Sequence, residues 1–273
     1  MIGLFQENGP CRFLKGETNP SVNPHSFNSY ANMLYIDQPI GTGFSYGTNN
    51  VGSSDAAAPY IWKLLQAFYT QFPQYKSRDF GIFTESYGGH YGPAIMKHFI
   101  KQNAGIENKT VTGEKVNIVA LGMNNGWFDA TLQYKAYIDY SFNNSYKSII
   151  SSSARTSVLN AYNQRCLPTI KDCMTTGTNS VCEKSSSICN SFIQSPLINA
   201  ADFDVYDVRE PYNSPNPPNT YQTYLQKKDI RKAIGASVDY VECSNSANAK
   251  FGPSGDRKLT LSPPSILHLF TKS

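Results

Sequence analysis

The chain has 273 residues, of which 40% are apolar, 13% aromatic and 16% charged, with a formal net charge of +4. This composition excludes a disordered chain, and the length suits one large domain burying roughly three quarters of its unfolded surface. No apolar run approaches the ~18 residues of a membrane-spanning helix, and the Lys and Arg residues form no block, so nucleic-acid and membrane partners have no support.

In chain order, "MIGLFQENGPC" (Met1 to Cys11) carries no basic n-region, apolar h-region or cleavage site, so no signal peptide is read there. "ANMLYIDQP" (Ala31 to Pro39) reads as a strand running into the loop "IGTGFSYG". "SSDAAAPYIWKLLQAFYTQFPQY" reads as a helix with Ser53 or Ser54 as its cap and Asp55 in its first turn. A short strand, "DFGIFT", is followed by Ser86 and then by "HYGPAIMKHFIKQ", whose apolar residues recur at helical spacing. "KVNIVALGMNNG" reads as a further buried strand. Strand and helix alternate through this half of the chain, which predicts an α/β fold with a parallel sheet and helices on its faces.

From about Asp129 to Pro196 the pattern is helical with no clear strand, and we read it as a cap inserted into the core. "REPYNSPNPPNT" is a proline-rich connection, and "YQTYLQKKDIRKAIG" predicts an amphipathic helix stopped at Gly235. These patterns divide the chain into an α/β core with residues 1–128, a helical cap with residues 129–200, a return to the core over residues 201–256 and a tail of residues 257–273.

Four of the six cysteines, Cys166, Cys173, Cys182 and Cys189, are separated by 7, 9 and 7 residues. The symmetric spacing suits two nested bridges, Cys166–Cys189 around Cys173–Cys182, among three connectivities. Zinc is the rival reading, but the cluster has no CxxC pair and no nearby histidine. Cys11 and Cys243 are left for a long-range bridge, and "NKT" at Asn108 and "NNS" at Asn143 are glycosylation sequons. Such features belong to a secretory compartment, so either the bridges do not form or the natural protein begins upstream of Met1.

Ser86 stands at a strand-to-helix turn, the position of a nucleophile elbow, where the next amide, that of Tyr87, becomes an oxyanion donor. A serine hydroxyl also needs a base, and the base an orienting acid. The usual G-x-S-x-G pattern has glycine two residues before the serine, whereas this chain has Thr84. The wider context is more specific. "ESYGGHYGP", "GLFQENGP", "YIDQPIGTGFSY", "NNGWFDATLQY" and "YLQKKDIRKAIG", together with the cysteine spacing, resemble the serine carboxypeptidases, of fungal type, from residue 1 to about Asp256.

The resemblance implies an α/β-hydrolase fold and a secreted or vacuolar serine-type hydrolase. It also implies release of C-terminal residues from peptide or protein C-termini through a Ser-linked acyl-enzyme, with no metal and no cofactor. Ser86 is then the nucleophile, the Tyr87 amide an oxyanion donor, and Glu7 and Glu85 the groups that help bind the substrate's C-terminal carboxylate. Carboxyl groups beside a carboxylate repel it unless one holds a proton, which suits work in acid.

The family's "N-G-G-P-G" segment is expected just before Met1, and the "RKLTLSPPSILHLFTKS" tail resembles nothing in the family. The chain as it stands is therefore expected to lack the base and its acid. Asp256 and His268 follow Ser86 in the proper order but without strand-end contexts. His90 is placed by helix geometry on the flank of its helix, as a core or pocket residue, and His25 and His98 carry no motif. An acyltransferase on the same scaffold, and a non-catalytic fragment or pseudoenzyme that at most binds peptides or a partner, are the alternatives.

Overall fold

A computed structural model describes residues 1–212, 214, 217–253 and 256. The expectations for the tail, including His268, lie outside the described residues. Where size alone suggests one large domain, the chain forms two compact units: Met1–Val51 with Glu210–Ala249, and Gly52–Arg209 with the described part of Lys250–Ser273.

In the first unit, β1 (Cys11–Arg12) pairs antiparallel with β2 (Ser21–Val22). Residues 31–39 do not form the expected strand: no neighbouring strand among the described residues supplies a ladder. The loop that follows is built on Asp37, whose Oδ2 accepts from the Phe44 amide at 2.9 Å, while Ser45 Oγ donates to the Asp37 carbonyl at 2.5 Å.

Farther along, the single helix expected over 221–235 is two, α8 (Thr220–Gln226) and α9 (Lys228–Ala233). Lys227 adopts an extended ψ of 133°, and Gln226 Nε2 is held by the Tyr240 carbonyl at 2.6 Å. Gly235, at φ +70°, ends the run as expected. Phe5, Phe13, Tyr221, Leu225 and Tyr240 form the core of this unit, with Phe5 stacked on Tyr221 at 5.6 Å.

The second unit holds the α/β layer. Helix α1 (Ser54–Gln71) begins where Ser53 Oγ accepts from the Ala56 amide at 3.1 Å, and it buries Ala57, Ala58, Ile61, Trp62, Leu65 and Tyr69. Strands β3 (Asp79–Glu85) and β4 (Asn117–Asn124) pair in parallel, joined through α2 (Gly88–Glu107). α1 packs on α2 through Trp62, edge-on to Phe99 at 5.0 Å. Side chains alternate along β3, with Ile82 buried while Phe83 is 64% exposed on the other face. Helices thus cover one face of the described sheet, rather than both.

The expected helical segment follows as α3 (Ala130–Phe142), α4 (Ser152–Ala161), α5 (Leu167–Thr176), α6 (Asn179–Cys189) and α7 (Ser195–Ile198). π-Helical turns at Tyr162–Cys166 and Asn190–Gln194 make α4–α5 and α6–α7 two long, nearly continuous arms. Gly177, at φ +62°, reverses the chain between them. Bridges Cys166–Cys189 and Cys173–Cys182 clip the arms together in nested fashion. The bridge expected between Cys11 and Cys243 is not formed: Cys11 is half-buried on β1, and Cys243 is exposed to solvent. A last helix, α10 (Asn245–Phe251), precedes Asp256.

Candidate active site

β3 ends at Glu85, and the chain turns into α2 through Ser86 and Tyr87. Ser86 has φ +55°, a left-handed conformation that costs an L-residue about 1–2 kcal/mol and persists only where its surroundings hold it. Three main-chain bonds do so. The Ser86 amide donates to the Asn124 carbonyl at 3.1 Å, and the Ser86 carbonyl accepts from the Gly89 and Trp127 amides at 3.0 and 2.8 Å. Two of these partners come from the end of β4 and the turn beyond it, so the parallel pairing itself secures the elbow. Ser86 is exposed at the tip.

Thr84 in the usual glycine position has a structural explanation. Its Oγ1 donates to the Gly88 carbonyl at 3.0 Å. A Cβ on Gly88 would lie 2.4 Å from Thr84 Cβ, and one on Gly92 would lie 2.9 Å from Thr84 Oγ1. The space that glycine usually yields on the strand is yielded here on the helix.

Tyr87, with φ −60° and ψ −14°, stands at the helix start, where amides point outward and the helix dipole favours negative charge. Its ring packs on His90 at 4.8 Å and edge-on to Tyr91 and Phe251 at 5.2 and 6.2 Å. Its hydroxyl donates to Asp256 Oδ2 at 2.6 Å. The same carboxylate accepts from Ser54 Oγ at 2.7 Å and from the Ser54 amide at 2.8 Å. Among the described residues, Asp256 thus accepts from these three donors at the N-terminal ends of α1 and α2.

His90 is 3% exposed, and its Nε2 has no hydrogen-bond partner. Burial holds its pKa below the ordinary histidine value, the Asp256 charge opposing this in part. It is the core histidine that helix geometry implies. His98 meets Trp62 edge-on at 6.4 Å, and His25 is exposed in a turn closed by Asn23. Among the described residues no histidine hydrogen-bonds Ser86 Oγ.

Glu85 is exposed beside Ser86, its Oε2 accepting from Asn124 Nδ2 at 3.2 Å. Glu7 belongs to the other unit, on the π-helical turn Gly3–Glu7. Burial raises the pKa of Tyr35, and the Glu7 charge raises it further. Asn108 and Asn143, the sequon asparagines, are both exposed. No group of three or more His, Cys, Asp or Glu side chains among the described residues is arranged to hold a metal ion.

Sequence reasoning missed the Tyr87–Asp256–Ser54 connection, whose members lie 169 and 202 residues apart. It also missed Asn124 and Trp127 as the clamp. No local pattern marks either.

A family model described as serine carboxypeptidase matches residues 1–265, nine residues beyond Asp256 and into the tail expected to resemble nothing in the family. Carboxypeptidase S1 of Penicillium janthinellum is 59% identical over 256 residues, covering 94% of this chain and 60% of that protein. Carboxypeptidase Y of Schizosaccharomyces pombe is 32% identical over 266 residues, covering 94% of this chain and 26% of the relative. The crystal structure of Kex1(Δ)p, a prohormone-processing carboxypeptidase from Saccharomyces cerevisiae, shares the fold. Its TM-score is 0.76 at 22% identity, over 99% of this chain and 59% of that one. The chain therefore spans less than two thirds of the length of each of these proteins. No described helix is long and apolar enough to cross a membrane.

Proposed function

Since this chain belongs to the serine carboxypeptidase family, with the α/β-hydrolase fold, we propose that the protein hydrolyses the last peptide bond of peptides and proteins through Ser86. The observation that carries this reading is the strained and triply clamped backbone of an exposed serine at a helix start. Such strain is retained where a reacting group must be presented.

In the proposed step, Ser86 Oγ attacks the carbonyl carbon of the last peptide bond while a base takes its proton. The oxyanion that forms accepts from the Tyr87 amide. Collapse expels the C-terminal amino acid, whose nitrogen takes the proton back, and leaves an ester on Ser86 that water hydrolyses. Glu85, next to the nucleophile, receives the substrate's C-terminal carboxylate. Glu7 joins that role through the family resemblance alone. Holding a carboxylate beside acidic side chains requires one retained proton, so the protein works best in acid. Two bridges and two exposed sequons favour a secreted or vacuolar protein glycosylated at Asn108 and Asn143.

One observation favours a second reading, a chain that binds peptides without turnover: no described histidine reaches Ser86 Oγ. Labelling of the purified chain with a fluorophosphonate near pH 5, read by intact mass, separates the two. One adduct that Ser86→Ala abolishes supports the enzyme. Folded protein without an adduct supports the binding chain. Transfer of the acyl group to an added alcohol, rather than to water, would assign an acyltransferase.

A further inference from the structure

The Tyr87 side chain has a task that the proposed chemistry does not use. Its amide is the donor assigned to the oxyanion, while its phenol ends on a carboxylate from a distant part of the chain. Among the described residues it is held by the 2.6 Å bond to Asp256 and by the rings of His90, Tyr91 and Phe251. Asp256 is itself held on α1 by two bonds from Ser54, one of them from its main chain. α1 is in turn packed on α2 through Trp62 and Phe99. The path from the elbow through Tyr87, Asp256 and Ser54 to α1, and through Trp62 back to α2, closes on itself.

We propose that Asp256 is a positioning residue for the oxyanion site, fixing the Tyr87 amide by anchoring the Tyr87 phenol to the start of α1. The inference rests on the reading of that amide as the oxyanion donor. The amide lies one residue beyond a left-handed serine, where small rotations of the Ser86–Tyr87 peptide redirect the N–H. A charge-assisted bond to a carboxylate held by further donors is a stronger restraint on that rotation than ring packing alone. The phenol is the only part of Tyr87 long enough to carry the restraint. Asp256 touches neither substrate nor nucleophile in this role, so its loss acts on the rate of acylation and leaves reversible binding unchanged.

The test compares Tyr87→Phe, Asp256→Asn, their combination and Ser54→Ala, each as the full chain. Fluorophosphonate inactivation is resolved into a rate constant and a reversible affinity, and hydrogen exchange is followed in the peptide spanning Thr84–Tyr91. Misplacing a catalytic group by about 1 Å costs up to roughly a hundredfold. Tyr87→Phe and Asp256→Asn are therefore each expected to lower the rate constant about tenfold or more with unchanged affinity, and the double variant to fall no further. Both are expected to speed exchange at the elbow. Ser54→Ala keeps its main-chain bond to Asp256, so it should lower the melting temperature yet label at the parent rate.

Independent, additive losses in the two variants, or parent-like rates with unchanged exchange, overturn the proposal. If the parent does not label, the enzymatic reading fails separately. Faster elbow exchange in Tyr87→Phe and Asp256→Asn, but not in Ser54→Ala, then still upholds the anchoring, and unchanged exchange overturns it.

Discussion

Gly89→Ala is the sharpest test of how the elbow is held. Gly89 is in the first turn of α2, and in an otherwise unconstrained helix the change stabilises by about 1 kcal/mol. The structure reverses that sign. A Cβ at this position would lie 2.5 Å from the Trp127 carbonyl oxygen and 2.7 Å from Trp127 C and N, where ordinary contact begins at 3.4 Å. These are main-chain atoms, so no side-chain rotation relieves the overlap, and the turn after β4 must retreat by about 1 Å. The retreat breaks the 2.8 Å bond from the Trp127 amide to the Ser86 carbonyl.

Overpacking of this kind costs about 2 kcal/mol, and the lost bond about 1 kcal/mol. Subtracting the helix-propensity gain leaves a net loss of about 2 kcal/mol. For a chain of this size that lowers the melting temperature by roughly 4–8 °C. Urea unfolding followed by circular dichroism measures the loss directly, and labelling of Ser86 should slow in parallel as its left-handed backbone is released. A variant as stable as the parent, or more so, refutes the reasoning, because helix propensity alone predicts that outcome.

Replacing Cys166 and Cys189 by alanine opens a bridge of sequence separation 23, and the two-arm helical segment should lose roughly 3 kcal/mol by the loop-closure argument, seen as loss of protection in hydrogen exchange over residues 152–198. Ser53→Ala removes the acceptor for the Ala56 amide and should cost about 1 kcal/mol in urea unfolding, with no change in labelling. Burial holds neutral His90 below its ordinary value of 6.5. The unfolded chain then binds a proton that the native state refuses, so the stability His90 allows at neutral pH is lost as pH falls below about 6.5. His98 is lowered also, by burial and then by Lys101. His90→Gln should therefore make the fall in stability between about pH 6.5 and 5 shallower, without abolishing it, and an unchanged slope would sink the assignment.

Much of the second unit was legible in the residues, because its signals are local. Ser53 before an apolar-periodic run is a cap wherever that run folds, and the short apolar run over residues 79–84 marks a strand, although not which of its faces is covered. The spacing of four cysteines limits which pairs two adjacent helices can bring together. Other expectations failed where a partner segment decides the outcome. "ANMLYIDQP" has strand composition, but a strand exists only with a neighbour, and the segment runs unpaired. The helix over 221–235 is broken at Lys227, where Gln226 is held by Tyr240 across the unit's core, a contact that overrides helical propensity.

The sequence by itself determined the family and the strand–serine–helix order, and it favoured the nested pairing of four cysteines among three connectivities, since each is written in neighbouring or regularly spaced residues. The structure alone separated those two bridges from the expected Cys11–Cys243 bridge, which is not formed. Only the tertiary structure decided that Thr84 can replace a glycine because Gly88 and Gly92 give way to it. It alone decided that β4 clamps Ser86 and that Asp256 meets Tyr87. The physical reason is the same throughout. Hydrogen bonds and steric contacts depend on distances of a few ångströms, and the fold brings to that range residues 169 and 202 positions apart.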